Sequence, residues 1–154
     1  MYSHFVTGPI YETDLKVAEM VKLTENTYRD VNIALVNEMA QLAERQGVDI
    51  WDVRKLANLH PRVNIHYPGP GVGGHCLPVD PYSLQYADPD NATLISVARE
   101  INNQMPAFVA ANLTSLLRDG RRKAAVLGVT YKSGTDDTRN SPAAALAEHL
   151  RAQN

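Results

Sequence analysis

Between Thr13 and Gln46 the chain contains neither glycine nor proline, and this stretch constrains the fold more than any other. Either Thr13 or Asp14 is a good helix N-cap, and Gly47 supplies a stop at the far end. Inside these limits Val17, Val21, Thr24, Tyr28, Val31, Leu35, Met39 and Leu42 recur at steps of three and four, which is one face of an α-helix, and that face is expected to be core. A helix of this extent is on the order of 50 Å long, well beyond the usual three turns. So small a chain cannot cover all of it, and Ile33, Val36 and Ala40 add apolar surface away from the main stripe. A second packing partner is therefore expected, most simply the same helix of another copy in a homodimer through residues 14–46.

The rest reads as shorter pieces. Met1 to Glu12 has no helical period and is expected to be an extended entry segment. Asp49 to Leu59 is a second helix, ended by the His60-Pro61 step, because a residue before proline disfavours the α region. From Pro61 to Pro81 the chain is irregular: Tyr67-Pro68-Gly69-Pro70-Gly71-Val72-Gly73-Gly74-His75-Cys76 crowds glycines and prolines as neither helix nor central strand allows. Asn91 to Asp119 is again helical in period, with Pro106 kinking or restarting it. Lys123 to Val129 is a short apolar run behind two arginines and reads as a buried strand, and Pro142 stands where the first turn of a new helix would begin. The fold class is mainly α, followed by the first strand and helix of an α/β unit; one strand cannot make a sheet.

Composition narrows the function. The chain has 154 residues, 44% hydrophobic and 21% charged, enough for a globular core. Its 15 basic and 17 acidic residues are interspersed, so no basic face points to nucleic acid. No apolar run approaches membrane-spanning length and no signal peptide opens the chain, so a cytoplasmic protein is expected. A single cysteine makes no internal disulfide, which fits a reducing compartment.

That cysteine is the first candidate for chemistry. By residue type alone it is more often a small buried hydrophobe than a nucleophile. Its setting argues the other way: Cys76 follows Gly73-Gly74, where missing side chains would let a substrate approach, and Asp80 stands four residues on between Pro78 and Pro81. The second constellation is Lys22, Asn26 and Asp30, four apart on one helix face beside Arg29. A solvated polar stripe is the common meaning of such spacing, yet asparagine is a poor helix-interior residue, and lysine with asparagine can stabilise an oxyanion. His60, His66, His75 and Cys76 have metal-ligand chemistry but no recurring ligand spacing, so no metal is expected.

Three stretches in this order carry a resemblance: Ala18 to Asn26; Gly69 to Pro81, which reads GPGVGGHCLPVDP; and Gly128 to Pro142, which reads GVTYKSGTDDTRNSP. With them the chain resembles the UDP-glucose/GDP-mannose dehydrogenase family, which oxidises the primary alcohol of a nucleotide sugar to a carboxylate with two NAD. Thr27 to Asn32 and His60 to Asn64 are similar to the members acting on UDP-N-acetyl-D-mannosamine in cell-surface polysaccharide synthesis. The resemblance implies a helical central and dimerisation domain over residues 1–119 and the truncated start of a C-terminal UDP-binding α/β domain over 120–154. It implies that Cys76 attacks the aldehyde from the first hydride transfer, giving a thiohemiacetal whose oxidation yields a thioester that water releases as the acid. Lys22 and Asn26 would then hold the reacting oxygen, and Asp80 would act as a base or orient Lys22 or water. Arg62, Gly73, Gly74 and Lys132 would meet the UDP-sugar substrate, and Arg139 the cofactor.

The chain also departs from the family pattern. No G-x-G-x-x-G between a strand and a helix is present, so NAD is expected to be held mainly by an N-terminal Rossmann domain that this chain lacks. The chain alone is therefore expected to be inactive. Two other readings stay open: a helical dimerisation module whose inherited site is idle, and a family member acting on UDP-glucose, UDP-N-acetylglucosamine or GDP-mannose.

Overall fold

The computed structural model describes residues 1–117 and 123–152. Among them run α1 (Leu15–Arg45), α2 (Ile50–Ala57), α3 (Asp80–Ala87), α4 (Thr93–Leu116) and α5 (Pro142–Ala152). The architecture is mainly α, as expected. Residues 1–14 lie exposed, with one 3₁₀ turn at Tyr2–His4 where an extended segment was expected.

The caps follow the sequence. Asp14 is the N-cap of α1 and accepts the Lys16 N–H at 2.8 Å; Asp49 does the same for α2 with the Trp51 N–H at 2.8 Å. Pro106 lies inside α4 without ending it. The Asn102 carbonyl, which a proline four residues on cannot serve, faces the backbone of the glycine loop at Gly71 instead. The stretch expected to be irregular runs to Pro81, but α3 begins at Asp80, with Pro81 buried in its first turn where a proline suits a helix start.

The core forms where α1 crosses α4 and α4 meets α5, around Ala34, Val36, Ala98, Met105, Ala110 and Leu146. Here the sequence expectation for α1 is corrected. Val17, Val21, Tyr28 and Leu35 of the supposed core stripe are 50%, 51%, 58% and 53% exposed, while the buried face carries Asn26, Thr27, Asp30, Ala34, Val36 and Asn37. Periodicity identifies an apolar face but not what covers it. Residues 15–22 are exposed on every side, so the first two turns of α1 project clear of the remaining chain.

Residues 123–129, read as a buried strand, pair with no strand among the described residues, and Leu127 is 94% exposed. A strand needs a neighbour for its backbone groups, and none stands among the described residues. The division between residues 119 and 120 lies outside the described residues. No helix among them is long and apolar enough to cross a membrane.

Candidate active site

The site is built on the polar face of α1. Asp30 and Asn37, both 0% exposed, point at α4. Arg99 donates to Asp30 Oδ1 at 2.5 Å, and Asn102 Nδ2 reaches the same oxygen at 2.9 Å and the Asp30 carbonyl at 3.0 Å. Two turns further along, Asn37 Nδ2 donates to Asn102 Oδ1 at 2.9 Å, and Asn37 Oδ1 accepts the Gly69 N–H at 2.9 Å. The helix–helix seam thus reaches the first glycine of the loop. Burial pushes the Asp30 carboxyl above its ordinary pKa of 3.8, against the opposing pull of Arg99 and Asn102. Asp30 is therefore bound into the seam and does not join Lys22 and Asn26 in one group, although it shares their helical spacing.

The helix α2 sets how the chain enters the loop. Asn58 holds Ile65 by both its backbone groups, at 2.7 and 3.1 Å, and Arg54 donates to the His66 carbonyl at 3.0 Å. The Arg54 guanidinium also lies 3.5 Å from the centre of the Tyr67 ring.

At the far end of the loop, the Cys76 carbonyl accepts the N–H groups of Val79 and Asp80 at 2.9 and 2.8 Å. Cys76 and Asp80 are thereby fixed one turn apart, with the cysteine partly exposed and unbonded to any other cysteine. Asp80 Oδ2 accepts from Asn26 Nδ2 at 2.5 Å, which joins α3 to α1. Three of the residues singled out for catalysis, Cys76, Asp80 and Asn26, thus form one connected group. Lys22 does not join it by contact: its ammonium is well exposed and pairs with Glu25 at 3.4 Å.

The glycines meet their own chain. A Cβ on Gly73 would come within 2.7 Å of Pro142, 2.8 Å of the Asn140 carbonyl and 2.8 Å of Tyr131. Gly74 has φ +100 and faces the Tyr131 ring. The Gly74 N–H donates to the Arg139 carbonyl at 3.0 Å, and Asn140 Nδ2 donates to the Gly74 carbonyl at 2.8 Å. Residues 131–142 therefore clasp the loop just before Cys76.

The clasp carries charge. Arg139 grips Asp137 with Nε and Nη2, at 3.0 and 2.6 Å, and His75 Nδ1 is 3.4 Å from the same carboxylate. The guanidinium and the backbone N–H of Arg139 hold the Asp137 carboxyl well below the usual carboxylate range. In return the hydrogen bonds and charge of Asp137 raise the pKa of Arg139. Lys132, exposed, lies 5.7 Å from the Tyr131 ring centre. Arg62 is exposed, with its backbone N–H donating to His60 Nδ1 at 3.3 Å, and no contact joins its side chain to this group among the described residues. No cluster of three or more potential metal ligands gathers among the described residues.

Sequence reasoning missed Arg99, Asn102 and Asn37 in the seam and Tyr131, Asp137 and Asn140 in the clasp. For the asparagines the signal was present: the argument from helix propensity that singled out Asn26 applies equally to Asn37 and Asn102.

The family model described as UDP-glucose/GDP-mannose dehydrogenase family, central domain, matches residues 16–104, and that of the same family's UDP binding domain matches 125–154. The chain is 54% identical over 150 residues to a UDP-N-acetyl-D-mannosamine dehydrogenase of Methanocaldococcus jannaschii, covering 97% of this chain and 35% of that protein. It is 54% identical over 156 residues to one of Pyrococcus horikoshii, covering 98% and 37%. The solved structure of a UDP-D-ManNAc dehydrogenase from Pyrococcus horikoshii superposes with a TM-score of 0.90 at 52% identity, over 98% of this chain and 37% of that one. The chain thus spans about a third of the length of the curated relatives it matches.

Proposed function

This chain belongs to the UDP-glucose/GDP-mannose dehydrogenase family, and from that premise we propose that it supplies the covalent-catalysis part of an enzyme oxidising UDP-N-acetyl-D-mannosamine to the uronate. The observation that carries the reading is the connected group of Cys76, Asp80 and Asn26: a partly exposed thiol, fixed one turn from a carboxylate that an asparagine of α1 holds. The substrate rests on the relatives' printed names.

NAD supplies the hydride acceptor in this chemistry. No strand, glycine-rich turn and helix follow one another among the described residues, so they offer the dinucleotide pyrophosphate no such seat. Arg139, exposed and cationic, is the one cofactor contact assigned to this chain.

The chain's own residues have the following parts. Cys76 Sγ adds to the substrate's aldehyde carbon; the C–S bond forms as the carbonyl π pair moves to oxygen, and a proton completes the thiohemiacetal. Asn26, and Lys22 once its side chain turns from Glu25, hold that oxygen as charge develops on it. Asp80, already oriented by Asn26, handles the proton. Lys132 and Arg62 meet the nucleotide sugar, Arg62 from a second copy, and Gly73 and Gly74 do so through backbone alone, since Tyr131, Asn140 and Pro142 fill the space where their side chains would stand. Residues 1–119 form the central domain, and 120–154 begin the UDP-binding one. The exposed stripe of Val17, Val21, Tyr28 and Leu35 supports a homodimer through residues 14–46, since a long helix with an uncovered apolar face needs a partner. A reducing cytoplasm suits a protein whose one cysteine must remain a thiol.

The test is a chimera in which this chain replaces the matching stretch of the Pyrococcus horikoshii relative. It should form acid from UDP-N-acetyl-D-mannosamine and NAD, and Cys76→Ser should abolish that. Acid formation by the Cys76→Ser chimera at the unsubstituted rate would overturn the covalent mechanism.

A further inference from the structure

The seam between α1 and α4 does more than join two helices. Arg99 donates one arm of its guanidinium to Asp30 of α1 and the other, Nη2, to Asn103 Oδ1 at 2.6 Å; Asn103 Nδ2 then donates to the Tyr82 hydroxyl of α3 at 3.0 Å. Asp30 lies one turn beyond Asn26 on α1, and Tyr82 lies two residues beyond Asp80 on α3. Asn26 and Asp80 are bonded to each other. The side chains therefore close a ring: Asn26 to Asp80, along α3 to Tyr82, through Asn103 to Arg99, across to Asp30 and back along α1 to Asn26.

We propose that Arg99 is the positioning residue for the Asn26–Asp80 pair, fixing α1 and α3 from one buried guanidinium so that the pair keeps its geometry beside Cys76. The proposal rests on the reading of Asn26 and Asp80 as site residues. Two observations favour positioning over stability. A buried ion pair is a poor source of stability, because well-packed apolar residues of similar volume commonly do as well or better. Moreover, the seam spends polar groups on the buried face while the apolar stripe of the same helix is left uncovered, the reverse of what core packing alone would select. A planar, forked cation holds two acceptors from two separate nitrogens at a fixed angle, whereas a lysine ammonium offers one nitrogen with rotatable donors and an apolar side chain none. Among the described residues Asp30 Oδ2 and Arg99 Nε are buried without a hydrogen-bond partner, so this pair is not bonded to its full capacity.

The experiment separates fold from position by using the chain itself. The double variant Asp30→Leu with Arg99→Met removes both charges together and should keep the fold, with thermal unfolding near the unsubstituted value. In ¹H–¹⁵N spectra its Asn26 side-chain amide should nevertheless move to the position seen in Asp80→Ala, where the acceptor is gone. An unmoved Asn26 amide in a folded double variant overturns the proposal. Should the double variant fail to fold, Tyr82→Phe removes one surface hydroxyl and cuts the ring on the α3 side; it should shift the same amide part of the way, and no shift overturns the proposal. Arg99→Lys should behave like Tyr82→Phe, because one ammonium cannot span Asp30 and Asn103. In the chimera, the double variant should lower kcat by about 10- to 100-fold with KM little changed, the signature of misplaced groups. Asn26→Ala with normal turnover would sink the reading of the site; Asn26→Ala inactive beside a fully active double variant would sink the positioning role alone.

Discussion

Two aspartate–arginine pairs among the described residues have the same chemistry in opposite surroundings. Asp30 and Arg99, with side chains 0% and 4% exposed, lie in the seam between α1 and α4; Asp137 and Arg139, 18% and 64% exposed, lie in the clasp over the glycine loop. The carboxyl pKa rises in the first and falls in the second. Arginine favours the charged carboxylate in both places, so the sign is set by desolvation, which outweighs the partner in the seam and not in the clasp. The buried pair holds its charges at a desolvation cost, whereas the clasp pair keeps its charges with little of that cost.

The sharpest way to break this comparison is to remove one buried partner. Arg99→Met alone leaves the Asp30 carboxylate uncompensated in the seam and should destabilise the chain by about 3–5 kcal/mol in urea unfolding. The Asp30→Leu, Arg99→Met double variant should recover most of that. A single variant as stable as the unsubstituted chain would mean that water reaches Asp30 and that the seam is no different in kind from the clasp.

A smaller effect sharpens the clasp. Gly73→Ala places a methyl within 2.8 Å of the Asn140 carbonyl, a backbone atom that cannot swing aside, and within 2.7 Å of the Pro142 ring. Overpacking of this kind costs about 1–3 kcal/mol, and residues 131–142 should lift from the loop. Amide exchange at Gly74, whose N–H is bonded to the Arg139 carbonyl, is the local measure. Unchanged exchange would show that residues 131–142 do not hold the loop.

How much of this could be read beforehand differs between the two regions. The Asp14 and Asp49 caps, the long α1, the irregular glycine loop and the start of α5 at Pro142 all follow from local chemistry, and each appears where the residues place it. The buried face of α1 does not follow, because helical period reports that Val17, Val21 and Tyr28 share a face without saying what, if anything, covers it. The clasp was illegible for another reason: Tyr131, Asn140 and Pro142 meet Gly73 across a long sequence separation, and a glycine does not name its neighbour. Of the residues assigned to the site, Asn26, Cys76 and Asp80 come together, whereas Lys22 and Arg62 face solvent.

The smallest effect, and the one that tests the comparison by sign, is the pH dependence of Asp137→Asn. The folded Asp137 pKa is depressed, so its contribution is fully present above the unfolded value of about 3.8 and is lost as pH falls through the folded value. The Asp30 pKa is raised, so its contribution is fully present below 3.8 and is lost as pH rises through the folded value. Unfolding followed from pH 6 downward should therefore show the unsubstituted chain slightly more stable than Asp137→Asn at pH 6, with the gap closing below about pH 3.8. A gap that stayed constant with pH would mean that Asp137 acts by its shape and hydrogen bonds rather than its charge, and the contrast with Asp30 would then rest on packing alone.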